Sequence, residues 1–308
     1  MHFPEGAGIV PQPRLDDMKP FKQITILGVG LIGASLAQSC KKNRLVERIV
    51  GFGRNAANLK KAQERNFIDS GSTDLKTAVT GSDLIVLCTP VGVLVERVRE
   101  MIPFLQDGCI ITDAGSVKGP LVEEIDALMP DSIYYVGAHP IAGGEQSGLE
   151  AASVDLLTGA KCIITPTANT QTEALQRVTE FWTEVGMQTL TMDAHEHDTV
   201  FGALSHLPHV VAYALMNTVA SVKTDNHGDI LSLSAGGLQD ITRIASSDPV
   251  MWRDICLKNK RPVVTLIDQF QETLANIKTL IEQDQADALQ KTFAKANGHR
   301  GKLVETNT

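Results

Sequence analysis

Three polar stretches of this chain place acid–base or anion-binding side chains just where short apolar runs end. In Gly137-Ala-His-Pro-Ile-Ala-Gly-Gly-Glu-Gln-Ser-Gly148, His139 is followed by Pro140. An imidazole with an intrinsic pKa near ~6.5 accepts a proton at neutral pH. A proline restricts the backbone of the residue before it, which helps aim the His139 ring. Glu145 in the same stretch can orient the ring or balance charge. Thr112-Asp-Ala-Gly-Ser-Val-Lys118 offers Ser116, whose hydroxyl can donate and accept a hydrogen bond. The competing reading of Ser116 is a helix cap, because a helical pattern follows it. The third stretch is Thr89-Pro-Val-Gly92, with Thr89 and Pro90 at a strand end. Ligands of open α/β sheets bind outside the carboxyl ends of the strands, so all three stretches are candidates for binding.

A cofactor signal precedes them. Gly28-Val29-Gly30-Leu31-Ile32-Gly33 fits G-x-G-x-x-G, directly after the apolar run 24–27 and directly before a helical pattern. That context marks a dinucleotide-binding turn. Gly28 allows the tight turn, Gly30 lets the backbone approach a pyrophosphate, and Gly33 lets helix and strand pack closely. The helix N-terminus would hold the diphosphate through its amides and dipole. At the end of the second strand, in Gly51-Phe-Gly-Arg-Asn55, Gly53 occupies the place where an NAD site usually offers an acid. Arg54 follows and can face a 2′-phosphate or stay solvated. NAD and NADP both remain open, with Ser116 counted among the residues near the cofactor.

The second half carries another cluster. In Ser205-His-Leu-Pro-His209, His206 and His209 are three apart and share a helix face. That spacing can hold a metal, but no nearby Cys or HExxH arrangement completes a site, so no metal is expected. His195-Glu-His197 reads as a polar helix start. Gly236-Gly-Leu-Gln239-Asp240-Ile-Thr-Arg243 sets a guanidinium in a small, apolar neighbourhood. Arginine binds carboxylates bidentately; the alternative is a local pair with Asp240. Trp252 either lines a pocket or packs.

The elements that must position these residues fall into two sets. From Phe21 the runs at 24–28, 47–52, 83–90, 109–115, 133–140, 161–167 and 187–193 alternate with helical patterns over most of that span. Continuous β-branched runs indicate strands covered on both faces, and the alternation indicates a doubly wound, mostly parallel sheet of the Rossmann type. After about Ala194 only helical periodicity remains. Residues 198–222 read as one long apolar helix. Residues 248–283 read as another, with Asp248 as N-cap, Pro249 at the first position, and a kink or break at Pro262. Helices apolar around most of their circumference need burial on several sides, which a second copy of the chain would provide. The expected division is a disordered tail at 1–19, a dinucleotide-binding domain at 20–193, an all-α substrate and dimerisation domain at 194–298, and a tail at 299–308.

Composition narrows the class. With 308 residues, 43% hydrophobic and 21% charged, the chain reads as a globular protein of two domains. A net charge of −8 without a Lys/Arg block disfavours nucleic acid. Five scattered cysteines without a CxxC pair read as reduced thiols of the cytoplasm. The N-terminus lacks the layout of a signal peptide, and no run reads as long and apolar enough to span a bilayer.

The order GVGLIG, TDAGSVK, GAHPIAGGEQSG, SHLPH, GGLQDITRIASSDPVMWRDI, from about residue 22 to about 285, resembles the prephenate dehydrogenase family, which includes arogenate and cyclohexadienyl dehydrogenases. The resemblance implies an NAD(P)-binding domain, a helical dimerisation domain, and a substrate site that draws on both. It implies that His139 takes the proton of the substrate's ring hydroxyl and that Ser116 binds the same hydroxyl. His209 and His206 would lie beside substrate and cofactor. Arg243 would pair with a carboxylate and Trp252 would stand near the substrate's side chain, with Gly236, Gln239, Asp240 and Glu145 completing the set. Gln239 stands where relatives often have Lys or Arg, and Gly53 where many have an acid. The implied activity is oxidative decarboxylation of prephenate, or of arogenate, in tyrosine biosynthesis. Inhibition by tyrosine is a further expectation, because product and substrate share a ring and side chain. Rival readings are another NAD(P)-dependent hydroxyacid dehydrogenase, for which no lysine-base motif is evident, and a non-catalytic dinucleotide or tyrosine sensor.

Overall fold

A computed structural model describes residues 21–144, 148–224 and 230–305. The expected tail at 1–19 and the candidate Glu145 lie outside the described residues. The chain divides into two compact units, one ending at Ala194 and one starting at His195.

The first unit is a sheet with helices. Its elements are β1 (Phe21–Leu27), α1 (Leu31–Lys42), β2 (Val46–Phe52), α2 (Ala56–Glu64), β3 (Ser70–Ser72), α3 (Leu75–Val79), β4 (Leu84–Leu87), α4 (Leu94–Met101), β5 (Ile110–Asp113), α5 (Gly119–Asp126), β6 (Tyr134–Pro140), β7 (Lys161–Thr165), α6 (Thr172–Glu184) and β8 (Gln188–Thr191). The strand order is β3-β2-β1-β4-β5-β6-β7-β8. Strand order reverses between β1 and β4, the switch point beside which ligands of doubly wound sheets bind. The central strands β4 and β5 are buried along their whole length; β4 is apolar throughout, whereas β5 ends in Thr112 and Asp113. Short β3 and α3 were missed because Ser70-Gly-Ser72 has no apolar signature.

All strand pairs among the described residues are parallel except β6 with β7. Among the described residues, the connection between them carries a single 3₁₀ turn (Leu149–Ala151) and no crossover helix. A parallel neighbour needs a crossover, so the chain returns antiparallel.

The second unit is helical: α7 (Ala194–Phe201), α8 (Leu207–Ala220), α9 (Gly236–Thr242), α10 (Pro249–Lys258), α11 (Lys260–Glu282) and α12 (Ala286–Glu305). A π-helical turn, Gly202–His206, joins α7 and α8 into one rod. At Gly202 a Cβ would lie 3.1 Å from Leu266 Cδ1 and 3.4 Å from Asn259 Nδ2, so glycine there permits close approach of α11. Asp248 caps α10 as expected, its carboxylate accepting from the amides of Val250 and Met251. The break in the next helix falls at Asn259. Pro262 sits in the first turn of α11, where its missing N–H removes no helical bond.

Two expectations need correction. The residues from 299 onward, expected to be a tail, continue α12 through Glu305. Among the described residues one helix, Ala194–Ala220, is long and apolar enough by length and composition to cross a membrane. Only 17% of its most apolar window is buried within the single chain. The same imbalance holds across the unit. Among the described residues, the exposed large hydrophobic side chains apart from Phe104 and Leu190 belong to the second unit, among them Leu204, Leu233, Ile241 and Leu257.

Candidate active site

The glycine turn has the geometry its spacing foretells. Gly28 adopts φ +99°, and a Cβ on it would lie 2.7 Å from the Cys88 carbonyl oxygen. A Cβ on Gly33 would overlap the Gly28 carbonyl, whereas one on Gly30 would meet nothing within 4 Å. Gly30 is also the N-cap of α1 and brings no side-chain cap, which leaves the first-turn amides for a diphosphate to satisfy. Leu31 and Ile32 begin that turn half-buried. The Val29 side chain is part of the core, which leaves its backbone for a ligand.

The neighbouring strand ends come close. The Gly28 amide donates to the Phe52 carbonyl at 2.9 Å, which brings the β2–α2 loop with Gly53 and Arg54 beside the turn. Arg54 is exposed, and Asn55 caps α2 through its side chain. The Cys88 amide donates to the Leu27 carbonyl at 2.7 Å, which sets Thr89 and Pro90 on the other flank. Thr89 Oγ1 is buried with no hydrogen-bond partner among the described residues. An orphaned hydroxyl beside an open amide cradle fits a bound dinucleotide.

Ser116 lies half-buried in the link from β5 to α5. It does not cap the helix: Lys118 holds the N-cap position, without a side-chain cap bond. His139 lies half-buried in β6, paired with Ile163 of β7. Pro140 ends the strand, so the imidazole is carried on sheet backbone instead of a loop.

The sequence reading gave no role to Asp113, Lys118 or Tyr135. Asp113 and Lys118 are fully buried and form an ion pair. Asp113 Oδ1 accepts from the Tyr135 hydroxyl at 3.0 Å and from the Ala138 amide at 3.1 Å. Burial first, then the Asp113 charge and hydrogen bond, pushes the Tyr135 hydroxyl well above the usual tyrosine range, so it stays a donor. The available signal was an acid ending a β-branched run with a lysine five residues on.

In the second unit, His209 Nδ1 donates to the Ser205 carbonyl at 2.9 Å, because a carbonyl can only accept. The neutral ring then keeps Nε2 as its acceptor. Burial lowers the His209 pKa, and the nearby positive charge of Arg243 lowers it further against the opposing Ser205 bond. His209 is therefore neutral at pH 7. Its ring stacks on Trp252 with centroids 3.6 Å apart and planes 19° apart. Trp252 is buried and its Nε1 has no partner among the described residues.

His206 is buried, and its Nδ1 accepts from Asn259 Nδ2 at 2.8 Å; the same amide group donates to the Asp198 carbonyl at 2.8 Å. Asn259 was missed by the sequence reading. His197, read as part of a polar helix start, is buried and bonded to the Asp198 carboxylate at 2.9 Å. The Tyr213 hydroxyl donates to the Ser247 carbonyl at 2.8 Å and ties α8 to the 3₁₀ turn Arg243–Ser246. Arg243, Gln239, Asp240 and Gly236 are exposed on that turn and on α9 before it. The second unit thus brings His209, Trp252 and Arg243 together. Among the described residues, no group of three or more His, Cys, Asp or Glu is placed to hold a metal.

A dinucleotide turn at the switch point of a parallel sheet, followed by a helical unit rich in exposed apolar surface, defines a two-domain dinucleotide-binding protein of the dehydrogenase class. Residues 36–191 match the prephenate dehydrogenase nucleotide-binding domain, and residues 193–295 match the prephenate dehydrogenase dimerization domain. The chain is 33% identical to the cyclohexadienyl dehydrogenase of Zymomonas mobilis over 283 residues, which covers 92% of this chain and 96% of that one. It resembles the crystal structure of Aquifex aeolicus prephenate dehydrogenase in complex with hydroxyphenyl propionate and NAD+, with a TM-score of 0.86, 35% identity, and coverage of 92% and 98%. It also resembles Synechocystis arogenate dehydrogenase, with a TM-score of 0.77, 28% identity, and coverage of 91% and 99%. The chain belongs to the prephenate dehydrogenase family.

Proposed function

We propose that this enzyme carries out the oxidative decarboxylation of prephenate to 4-hydroxyphenylpyruvate, in the cytoplasm, on the route to tyrosine. The observation that carries this reading is the match of both units, over nearly the whole chain, to the two domains of one family. His139 takes the proton of the ring hydroxyl, and Ser116 holds the same oxygen. The bound nicotinamide supplies the acceptor for the hydride that leaves the hydroxyl-bearing carbon. Loss of carbon dioxide then makes the ring aromatic, which drives the reaction. Arg243 pairs with a substrate carboxylate. Neutral His209, with Nε2 as acceptor, and His206 flank the reacting groups. Trp252 stands at the substrate's side-chain end, and Gly236, Gln239 and Asp240 complete the surround. The protein's task is mainly alignment of donor carbon, base and cofactor.

Arogenate carries an amino group where prephenate carries a keto group and is the second reading, supported by the likeness to the arogenate dehydrogenase. Absorbance at 340 nm, followed with each substrate and each nucleotide, tests both. Reduced nicotinamide should form faster with prephenate than with arogenate. Absence of product in all four mixtures would reject dehydrogenase activity and favour a sensor.

The residues that would hold the cofactor are the amides of Gly28 to Gly33, with Thr89, Pro90, Ser116, Gly53 and Arg54 around them. Gly53 brings no carboxylate against a 2′-phosphate, and exposed Arg54 supports one, so NADP is accepted as well as NAD. A Cβ on Gly53 would meet only Leu59, at 3.6 Å, so an acid fits there. Gly53→Asp should raise the NAD:NADP ratio of kcat/KM by about tenfold or more, since tenfold is only about 1.4 kcal/mol and a carboxylate repels the phosphate. An unchanged ratio would place nucleotide choice elsewhere.

The helical unit pairs two chains. Its exposed Leu204, Leu233, Ile241 and Leu257, and the lightly buried Ala194–Ala220 rod, are the apolar surface such pairing would cover. Sedimentation equilibrium should give twice the mass of the chain; a single-chain mass at micromolar concentration would reject the dimer. Tyrosine, sharing ring and side chain with the substrate, is expected to inhibit by binding the same residues.

A further inference from the structure

Asp113 stands where a charge needs a reason. Burying an ion pair gives little net stability, and an apolar pair of the same volume is often as stable. Pairing of β5 with β6 stops at Thr112–Val136, while β6 continues to Pro140 against β7 alone. Beyond that point the Ala138 amide is taken up by Asp113 Oδ1 at 3.1 Å. The carboxylate thus extends the ladder to the residue immediately before His139. Its other oxygen, Oδ2, accepts from the Gly115 amide at 2.9 Å and from Lys118 Nζ. Those two donors bracket Ser116.

The local sequence is shaped around this carboxylate. A Cβ on Gly115 would lie 2.9 Å from Asp113 Oδ2, and one on Gly137 would lie 2.5 Å from Thr165 Oγ1 and 3.3 Å from the Tyr135 hydroxyl. The two glycines let both backbone segments and the tyrosine close on the acid.

We propose that Asp113 is a positioning residue that sets His139 and Ser116 at a fixed spacing, with one carboxylate oxygen on each segment and Tyr135 bracing the first. The inference rests on the roles given above to His139 and Ser116. It requires both oxygens to be acceptors. Asparagine has one acceptor oxygen and an amide that opposes the donors on the other side, so it can serve only one segment.

The test uses the full chain. Asp113→Asn should lower kcat by about 10²-fold, the scale of a misplacement near 1 Å, while the prephenate KM and nucleotide Kd stay within about threefold. Tyr135→Phe keeps both backbone bonds and should lose only about threefold to tenfold in kcat. Because Asp113→Asn removes the carboxylate that Lys118 pairs with, the double variant Asp113→Asn/Lys118→Met guards against failure to fold and should show the same split. Amide hydrogen exchange in the folded double variant should rise over 114–118 or 137–139, or both. A folded double variant with kcat within about threefold of the parent, or a loss confined to KM or Kd, would overturn the proposal. If the parent turns over neither prephenate nor arogenate, the functional reading fails instead, and the exchange data still decide whether Asp113 holds the two segments.

Discussion

The His139→Asn variant should lose about 10²–10⁴-fold in kcat, the span that a positioned general base contributes. Asparagine preserves a polar group of similar reach but cannot take up the hydroxyl proton, so the hydride has no electron push behind it. Nucleotide Kd, read by binding fluorescence, should stay within about threefold, because the glycine turn that holds the diphosphate is untouched. His139 is carried on β6 and is paired through its backbone to Ile163, so the substitution alters the ring and not the strand. A variant with near-normal kcat would remove His139 from the chemistry.

Arg243→Gln should act on the other side of the kinetics. A charge-assisted pair with a carboxylate is worth about 1.5–3 kcal/mol, which corresponds to roughly a tenfold to hundredfold rise in prephenate KM with kcat little changed. The exposed guanidinium sits on a 3₁₀ turn held to α8 by Tyr213, so its loss does not open the core. A second readout is independent of turnover. Arg243 holds the His209 pKa down, so its removal should let His209 bind a proton at higher pH, although burial still keeps it below the ordinary histidine value. An NMR titration of His209 reports this. An unchanged KM would end the carboxylate role, and an unmoved His209 would mean the two side chains do not sense each other.

The site was legible to different depths. The glycine spacing carried the turn because each glycine answers a local steric demand: Gly28 at positive φ, and Gly33 against the Gly28 carbonyl. Asp248 was legible as a cap for the same reason, since a cap bonds amides two and three residues away. Lys118 and Asp113 were visible as letters of a motif but not as a buried pair, because nothing local says that both lose all solvent. Asn259 looked like an ordinary helix residue. Its importance comes from His206 and Asp198, more than fifty positions away.

The sequence by itself determined the parallel-sheet architecture of the first half, the dinucleotide turn, the helical character of the second half and the family. Each follows from periodicity, from steric demands within a few residues, or from motifs read in order. Tertiary structure alone decided the antiparallel return of β7, the π turn that fuses two helices into one rod, the break at Asn259, and the carboxylate that reaches from β5 to the strand of His139. Those features depend on which distant groups meet once water is excluded. Hydrogen bonds of that kind are set by the packed geometry and leave no period in the chain.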